Sequence, residues 1–242
     1  MGLTAMIKSN FKIFVNFKTY PQGRGMEAVR LARICQKLGE EKKMTIIPVV
    51  QAVDIYRVRK ETEVSPWVQH IDWQESGQHT GWINLEAVVE AGAVGTLLNH
   101  SEHRIPPGKI KQILKRVAVV AVAGNRFARQ EGRTFQVMVC CRTLGQLERL
   151  VKLKPDFLAY EPPELIGGTV SVSREKPRAV EKAVRICRRY DMPLIVGAGI
   201  HSGKDVLLAK KMGAMGVLVS SAVVLSEDPE EKIKEMLTLL HC

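Results

Sequence analysis

Eight short apolar runs, each followed by a stretch patterned as an amphipathic helix, constrain this chain more than any other feature. The runs fall at residues 12–17, 45–49, 67–70, 95–99, 135–140, 157–160, 194–196 and 217–219. Each is apolar on both faces, as strands of a covered parallel sheet are. Between them the apolar period changes to that of a helix. Ala28, Leu31, Ala32, Cys35 and Leu38 form one stripe, Val180, Ala183, Val184 and Cys187 another, and Ile233, Met236, Leu237 and Leu240 a third. Asn84 is placed to cap a helix through Glu86 to Glu90, and Ser202 or Gly203 opens another that ends near Gly213. Eight βα units in 242 residues match the roughly 250 residues of a closed (β/α)8 barrel. An open doubly wound sheet is the alternative.

No Ser/Gly linker divides the sequence, so residues 1–242 are expected to form one α/β barrel domain. The connection after the fourth run is the irregular one, extended over about residues 105–134. Its Ala118 to Gly124 portion suits a buried helix or an additional strand equally well.

Charge and cysteine content narrow the function. The net charge of +11 attracts anions, either nucleic acid or phosphorylated metabolites. The basic residues are dispersed, however: Lys109, Lys111, Lys115 and Arg116 interleave with Ile110, Ile113 and Leu114, the pattern of a solvated helix face. With aromatics at 5% and no zinc-finger or RNA-binding signature, nucleic acid is not an expected partner. No apolar stretch approaches the roughly 20 residues of a membrane helix, and residues 1–10 lack the pattern of a secretory signal. Five cysteines without metal-ligand spacing fit free thiols in a reducing cytoplasm. One of the adjacent Cys140 and Cys141 is expected to pack inward.

In a barrel of this kind chemistry gathers where strands end. The first run ends Asn16-Phe17-Lys18, which puts Asn16 and Lys18 on one side, toward the mouth. A lysine there serves an anionic substrate. The fourth run ends Asn99-His100-Ser101-Glu102. Ser101 resembles the cap of a short helix starting at Glu102, whose N-terminus would keep His100 neutral, and Glu102 is placed to pair with Lys18. His100 and His103 at i, i+3 lack a third ligand, so no metal is expected. The sixth run ends Tyr160-Glu161-Pro162, leading into Pro163-Glu164-Leu165-Ile166-Gly167-Gly168. That places one carboxylate rigidly at a strand exit beside a glycine-tipped loop, the arrangement a general base needs when its substrate is hidden from water. Small residues at Gly197-Ala198-Gly199 and Ser220-Ser221-Ala222 let backbone N–H groups approach a phosphate.

These segments resemble the triosephosphate isomerases from end to end. The matching motifs are Asn16-Phe17-Lys18-Thr19-Tyr20, Gln69-His70-Ile71-Asp72, His79-Thr80-Gly81, Asn99-His100-Ser101-Glu102, Glu161-Pro162-Pro163-Glu164-Leu165-Ile166-Gly167 and Gly197-Ala198-Gly199-Ile200. The resemblance is to the compact archaeal branch. The family is a standard worked example of a tuned acid–base pair and a closing loop. The resemblance implies interconversion of dihydroxyacetone phosphate and glyceraldehyde 3-phosphate through an enediolate, without cofactor or metal. Glu161 would be the base, His100 the neutral electrophile, and Lys18 with Asn16 the oxyanion partners, Glu102 orienting Lys18. Backbone groups of Gly167, Gly199, Ser220 and Ser221 would hold phosphate. A homodimer or homotetramer is implied, with Thr80 entering the neighbouring subunit. Two alternatives stand beside it: a phosphate-binding barrel acting on another sugar phosphate, which would share the glycine elements without needing Lys18, His100 and Glu161 together, and a catalytically impaired barrel that keeps this site but serves a binding or assembly role because its loop does not close. The family's Ile-Gly-Thr-Gly is here Ile166-Gly167-Gly168-Thr169, and a threonine in place of glycine restricts the backbone of that loop.

Overall fold

A computed structural model describes residues 11–123, 135–165 and 171–240. Eight parallel strands close on themselves: β1 (Lys12–Asn16), β2 (Thr45–Val50), β3 (Trp67–Val68), β4 (Gly95–Leu98), β5 (Gln136–Cys141), β6 (Phe157–Tyr160), β7 (Leu194–Val196) and β8 (Gly216–Val219). β1 pairs with β2 through Lys12 opposite Thr45 and with β8 through Lys12 opposite Gly216, which completes the ring. The closed (β/α)8 barrel is therefore the architecture, and the open sheet is ruled out. β3 is shorter than its apolar run suggests. The ladder to β2 continues only through the Gln69 N–H to the Val50 carbonyl (3.0 Å) before His70 turns toward Asp72.

Alternation along each strand divides the apolar residues between two cores. Inward-facing Phe14, Val49, Trp67, Met138, Phe157 and Leu218 belong to the cluster that fills the barrel. Phe14 meets the Trp67 ring edge-on at 5.0 Å and the Phe157 ring at 5.7 Å, a geometry aromatic quadrupoles favour. Outward-facing Val15, Val68, Leu98, Val139, Leu158 and Val217 pack instead with the helices. At about 1.5–3 kcal/mol for each fully buried aliphatic side chain, this outer layer is the main source of stability.

The helices form where the apolar period indicates. The Met26–Lys42 helix buries Ala28, Leu31, Ala32, Cys35 and Leu38, and Lys43 ends it in a left-handed conformation. The Pro177–Arg188 helix buries its stripe in the same way, and the Pro229–Thr238 helix buries Ile233, Met236 and Leu237, with Leu240 buried just past its end. Asn84 accepts from the Ala87 N–H, and Ser202 forms a reciprocal capping box with Asp205. The irregular fourth connection contains the Pro107–Ala123 helix, so residues 118–123 are helical and not strand. Ile110, Ile113 and Val117 recur at helical spacing and are buried. Residues 124–134 lie outside the described residues. Among the described residues, no helix is long and apolar enough to cross a membrane. Cys140 faces the barrel interior and Cys141 the helices, and Cys35, Cys140, Cys141 and Cys187 are buried free thiols.

Candidate active site

The ends of β1, β4, β6, β7 and β8 surround one cavity, lined among others by Asn16, Lys18, His100, Glu161, Gly199, Ser220 and Ser221. Each side chain arrives there by a local constraint. At β6, the Glu161 N–H still bonds the Cys141 carbonyl (2.8 Å), and the Gly197 N–H bonds the Tyr160 carbonyl (3.2 Å). The carboxylate thus begins on backbone held from both sides. It is 5% exposed, and its Oε2 has no hydrogen-bond partner among the described residues. A buried carboxylate oxygen without a partner is costly, and such an atom at a cavity wall is available to a reacting group.

At β4, Asn99 adopts a left-handed backbone (φ 60), which asparagine tolerates better than most residues. Its side chain fixes that turn. Nδ2 donates to the Cys140 carbonyl at 2.9 Å, and Oδ1 accepts from the Ile105 N–H at 3.3 Å. His100 follows, buried. The expected helix at Glu102 is absent: residues 101–103 form a turn closed by the His103 N–H to the His100 carbonyl (2.9 Å), and the next helix begins at Pro107. Pro106 and Pro107 explain the delay, because a residue before proline is pushed out of helical angles. Ser101 therefore caps no helix there: among the described residues, none begins at residues 101–103 beside the imidazole. A single backbone group takes that place. The Glu102 N–H donates to His100 Nδ1 at 3.3 Å, which requires a lone pair on Nδ1 and puts the ring proton on Nε2. Nε2 lies 3.7 Å from Glu161 Oε2.

Lys18 leaves β1 through a left-handed residue (φ 49). Its N–H donates to Asn16 Oδ1 at 3.0 Å, and its carbonyl accepts from Gln69 Nε2 at 2.8 Å. The ammonium reaches Glu102 Oε1 at 2.6 Å, while the other oxygen of Glu102 lies 3.6 Å from His100 Nδ1. A cation, an imidazole N–H and a carboxylate therefore converge on one cavity. Opposite them, Gly199 has φ 68, a conformation that favours glycine, and Ser220 precedes the four-residue Ser221–Val224 helix. The first N–H groups of a helical turn have no partner within it, so this wall suits an anion. Ser220 Oγ is buried without a hydrogen-bond partner among the described residues.

Asn16, Lys18, His100, Glu161, Gly199, Ser220 and Ser221 thus meet at one cavity, with Glu102 joined to it through Lys18. Gly167, Gly168 and Thr169 lie outside the described residues. Thr80 sits in the exposed loop at residues 77–81, away from the lining of this cavity. Two participants were given no role in the site from sequence. Cys140 lies directly beside Glu161, and its thiol is raised well above the ordinary range by burial and by the charge and hydrogen bonding of that carboxylate. Gln69 anchors the Lys18 turn. Alternation on β5 already pointed to an inward cysteine, whereas the motif at Gln69 carries no local sign that its side chain anchors Lys18.

The sequence matches the protein-family model for triosephosphate isomerase over residues 11–237. It is 36% identical to the triosephosphate isomerase of Methanothermus fervidus over 228 residues, 93% of this chain and 97% of that one. It is 34% identical to the protein of that name from Methanocaldococcus jannaschii, covering 94% of this chain and 99% of the other. The one from Thermoplasma volcanium is also 34% identical, with the same coverage. With the barrel closed and its mouth lined as described, the chain belongs to the triosephosphate isomerase family.

Proposed function

We propose that this protein interconverts dihydroxyacetone phosphate and D-glyceraldehyde 3-phosphate, with Glu161 as the base and His100 as the electrophile. Glu161 removes a proton from C1 of the ketose and returns it to C2, so one group serves both directions. His100 Nε2–H donates to the carbonyl oxygen as the enediolate forms. Lys18 and Asn16 stabilise the negative charge there, and Glu102 holds Lys18 in place. The phosphate rests on backbone N–H groups of Gly199, Ser220 and Ser221, with Gly167 as a further contributor. Positioned proton transfer supplies roughly 10²–10⁴-fold. Preorganised charge at the enediolate and binding of the non-reacting phosphate supply the rest.

The observation that carries this reading is the pairing of His100 Nε2 with Glu161 Oε2 at 3.7 Å, with Nδ1 occupied by a backbone donor. The two groups are close enough to act on neighbouring atoms of one small substrate. In this reading the protein is cytoplasmic, residues 1–242 form one barrel domain, and the exposed 77–81 loop carries Thr80 to a neighbouring subunit of a dimer or tetramer. The test is an isomerisation assay with glyceraldehyde 3-phosphate. Glu161→Gln should lower kcat by about 10²–10⁴-fold with melting unchanged, since it removes the base while keeping its shape. Turnover equal to the parent's would overturn the assignment.

A further inference from the structure

Asp205 is 3% exposed and lies outside the cluster of reacting groups, yet its carboxylate gathers donors from two separate connections. Oδ2 accepts from the Ser202 N–H (2.9 Å), the Ser202 hydroxyl (2.8 Å) and the His201 N–H (3.2 Å). Those bonds belong to the β7 connection and to the cap of the Gly203–Lys211 helix. Oδ1 faces the other way. It accepts from the Ser171 hydroxyl at 2.8 Å and is ion-paired with Arg174 Nε at 2.6 Å, both on the β6 connection. Arg174 also donates to Ser202 Oγ at 3.3 Å, and the Val172 N–H bonds the Ala198 carbonyl at 3.1 Å.

A helix cap needs only the first set of bonds. The second set joins the segment that follows Glu161 to the segment that contains Gly199. Ala198, Gly199 and His201 all line the cavity. Burial alone would raise this carboxyl, but the bonds from Ser202, Ser171 and His201 and the charge of Arg174 outweigh it and hold it below its ordinary range. The group is a charged clamp at neutral pH.

We propose that Asp205 is a positioning residue for the phosphate end of the substrate, holding the β7 loop at Gly199 in register with the β6 connection at Ser171. The inference rests on the proposed placement of phosphate at Gly199, Ser220 and Ser221. Asp205 acts through the backbone it holds and does not contact substrate. Its removal should therefore matter only when a phosphate is present.

The experiment compares glyceraldehyde 3-phosphate with phosphate-free D-glyceraldehyde in Asp205→Asn, and measures inhibition by inorganic phosphate. The amide keeps the shape but loses the charge and one acceptor. The expected result is a fall of about 10–100-fold in kcat/KM for the phosphorylated substrate, the range expected for losing one or two charge-assisted bonds. The loss should lie mainly in KM. Inhibition by inorganic phosphate should weaken by a comparable factor, and turnover of D-glyceraldehyde should stay within about twofold. Equal losses on both substrates would indicate general disruption and overturn the proposal, as would no loss on either. Ser171→Ala removes one donor and leaves the helix cap whole, so it should show the same selectivity with a smaller loss even if Asp205→Asn folds poorly. Calorimetry with inorganic phosphate keeps the two readings distinct. A parent protein that binds phosphate without isomerising triose phosphate refutes the proposed reaction and leaves the clamp standing, and one that isomerises while Asp205→Asn binds phosphate unchanged refutes the clamp alone.

Discussion

Gly197→Ala should separate folding from chemistry at this mouth. A Cβ built on Gly197 would lie 2.9 Å from Glu161 Oε1, 3.2 Å from Glu161 Cγ and 3.2 Å from the Leu218 carbonyl oxygen. Ordinary contact begins near 3.4 Å, so a gap of about half an ångström must open on the Glu161 side, where a side-chain tip can move and the Leu218 backbone cannot. Moving a carboxylate tip by rotation costs only about 1 kcal/mol, but this tip is the proposed base. A misplacement near 1 Å costs about 10²-fold in rate, so a shift of about half that predicts a kcat roughly 10-fold or more below the parent. KM should change little, because the proposed phosphate wall at Ser220 and Ser221 is untouched. Steady-state kinetics with glyceraldehyde 3-phosphate, run beside a thermal melt, provide the assay. A kcat within twofold of the parent in a protein that melts normally would refute the argument that Gly197 is small to leave room for Glu161.

Two further perturbations test the fold. Gly95→Ala would put a Cβ 2.3 Å from Trp67 Cε2, in a core where that ring is fully buried, and should cost about 3 kcal/mol, or roughly 6–12 °C in Tm; Trp67→Phe in the same protein should restore part of the loss in a denaturant titration. His70 is held below its ordinary pKa by burial, with the stacked His103 ring adding to the effect and the Asp72 hydrogen bond opposing it. A lowered histidine contributes stability that is complete above its unfolded pKa of about 6.5 and declines as pH falls from there to the folded value. His70→Gln should therefore flatten the loss of stability between about pH 7 and pH 5 in urea titrations, and an unchanged slope would refute this origin.

What could be read from the sequence follows the range of the interactions. The stripes ending at Leu38, Cys187 and Leu240 depend on spacing alone, so their helices were legible. The Asn84 and Ser202 caps are bonds within three residues and were legible for the same reason. Ser101 has the right residue type for a cap, but Pro106 and Pro107 delay the helix, and backbone hydrogen bonding to Nδ1 replaces it. The ambiguity at residues 118–123 arises because alternating Val and Ala satisfies both periods. The contact of Cys140 with Glu161, the anchoring role of Gln69 and the second half of the Asp205 cluster were not legible. Each involves partners contributed by distant stretches of chain, and no local pattern encodes such meetings. Glu161 and His100 could be named only because strand ends in a barrel all open on the same face.

The division of apolar residues between a barrel interior and an outer layer bears on how such a chain can drift. Val139 and Leu158 face helices, while Met138 and Phe157, their immediate neighbours in sequence, face the rings of the interior. Substitutions in separate cores act nearly independently when they share no partners. The helix-facing layer can therefore be repacked many times over without moving the groups at the mouth, whereas the few interior positions beneath Glu161 change only together. A chain built this way can differ from its relatives at about two positions in three, as the 34–36% identities here require, and still present the same chemistry at its open end.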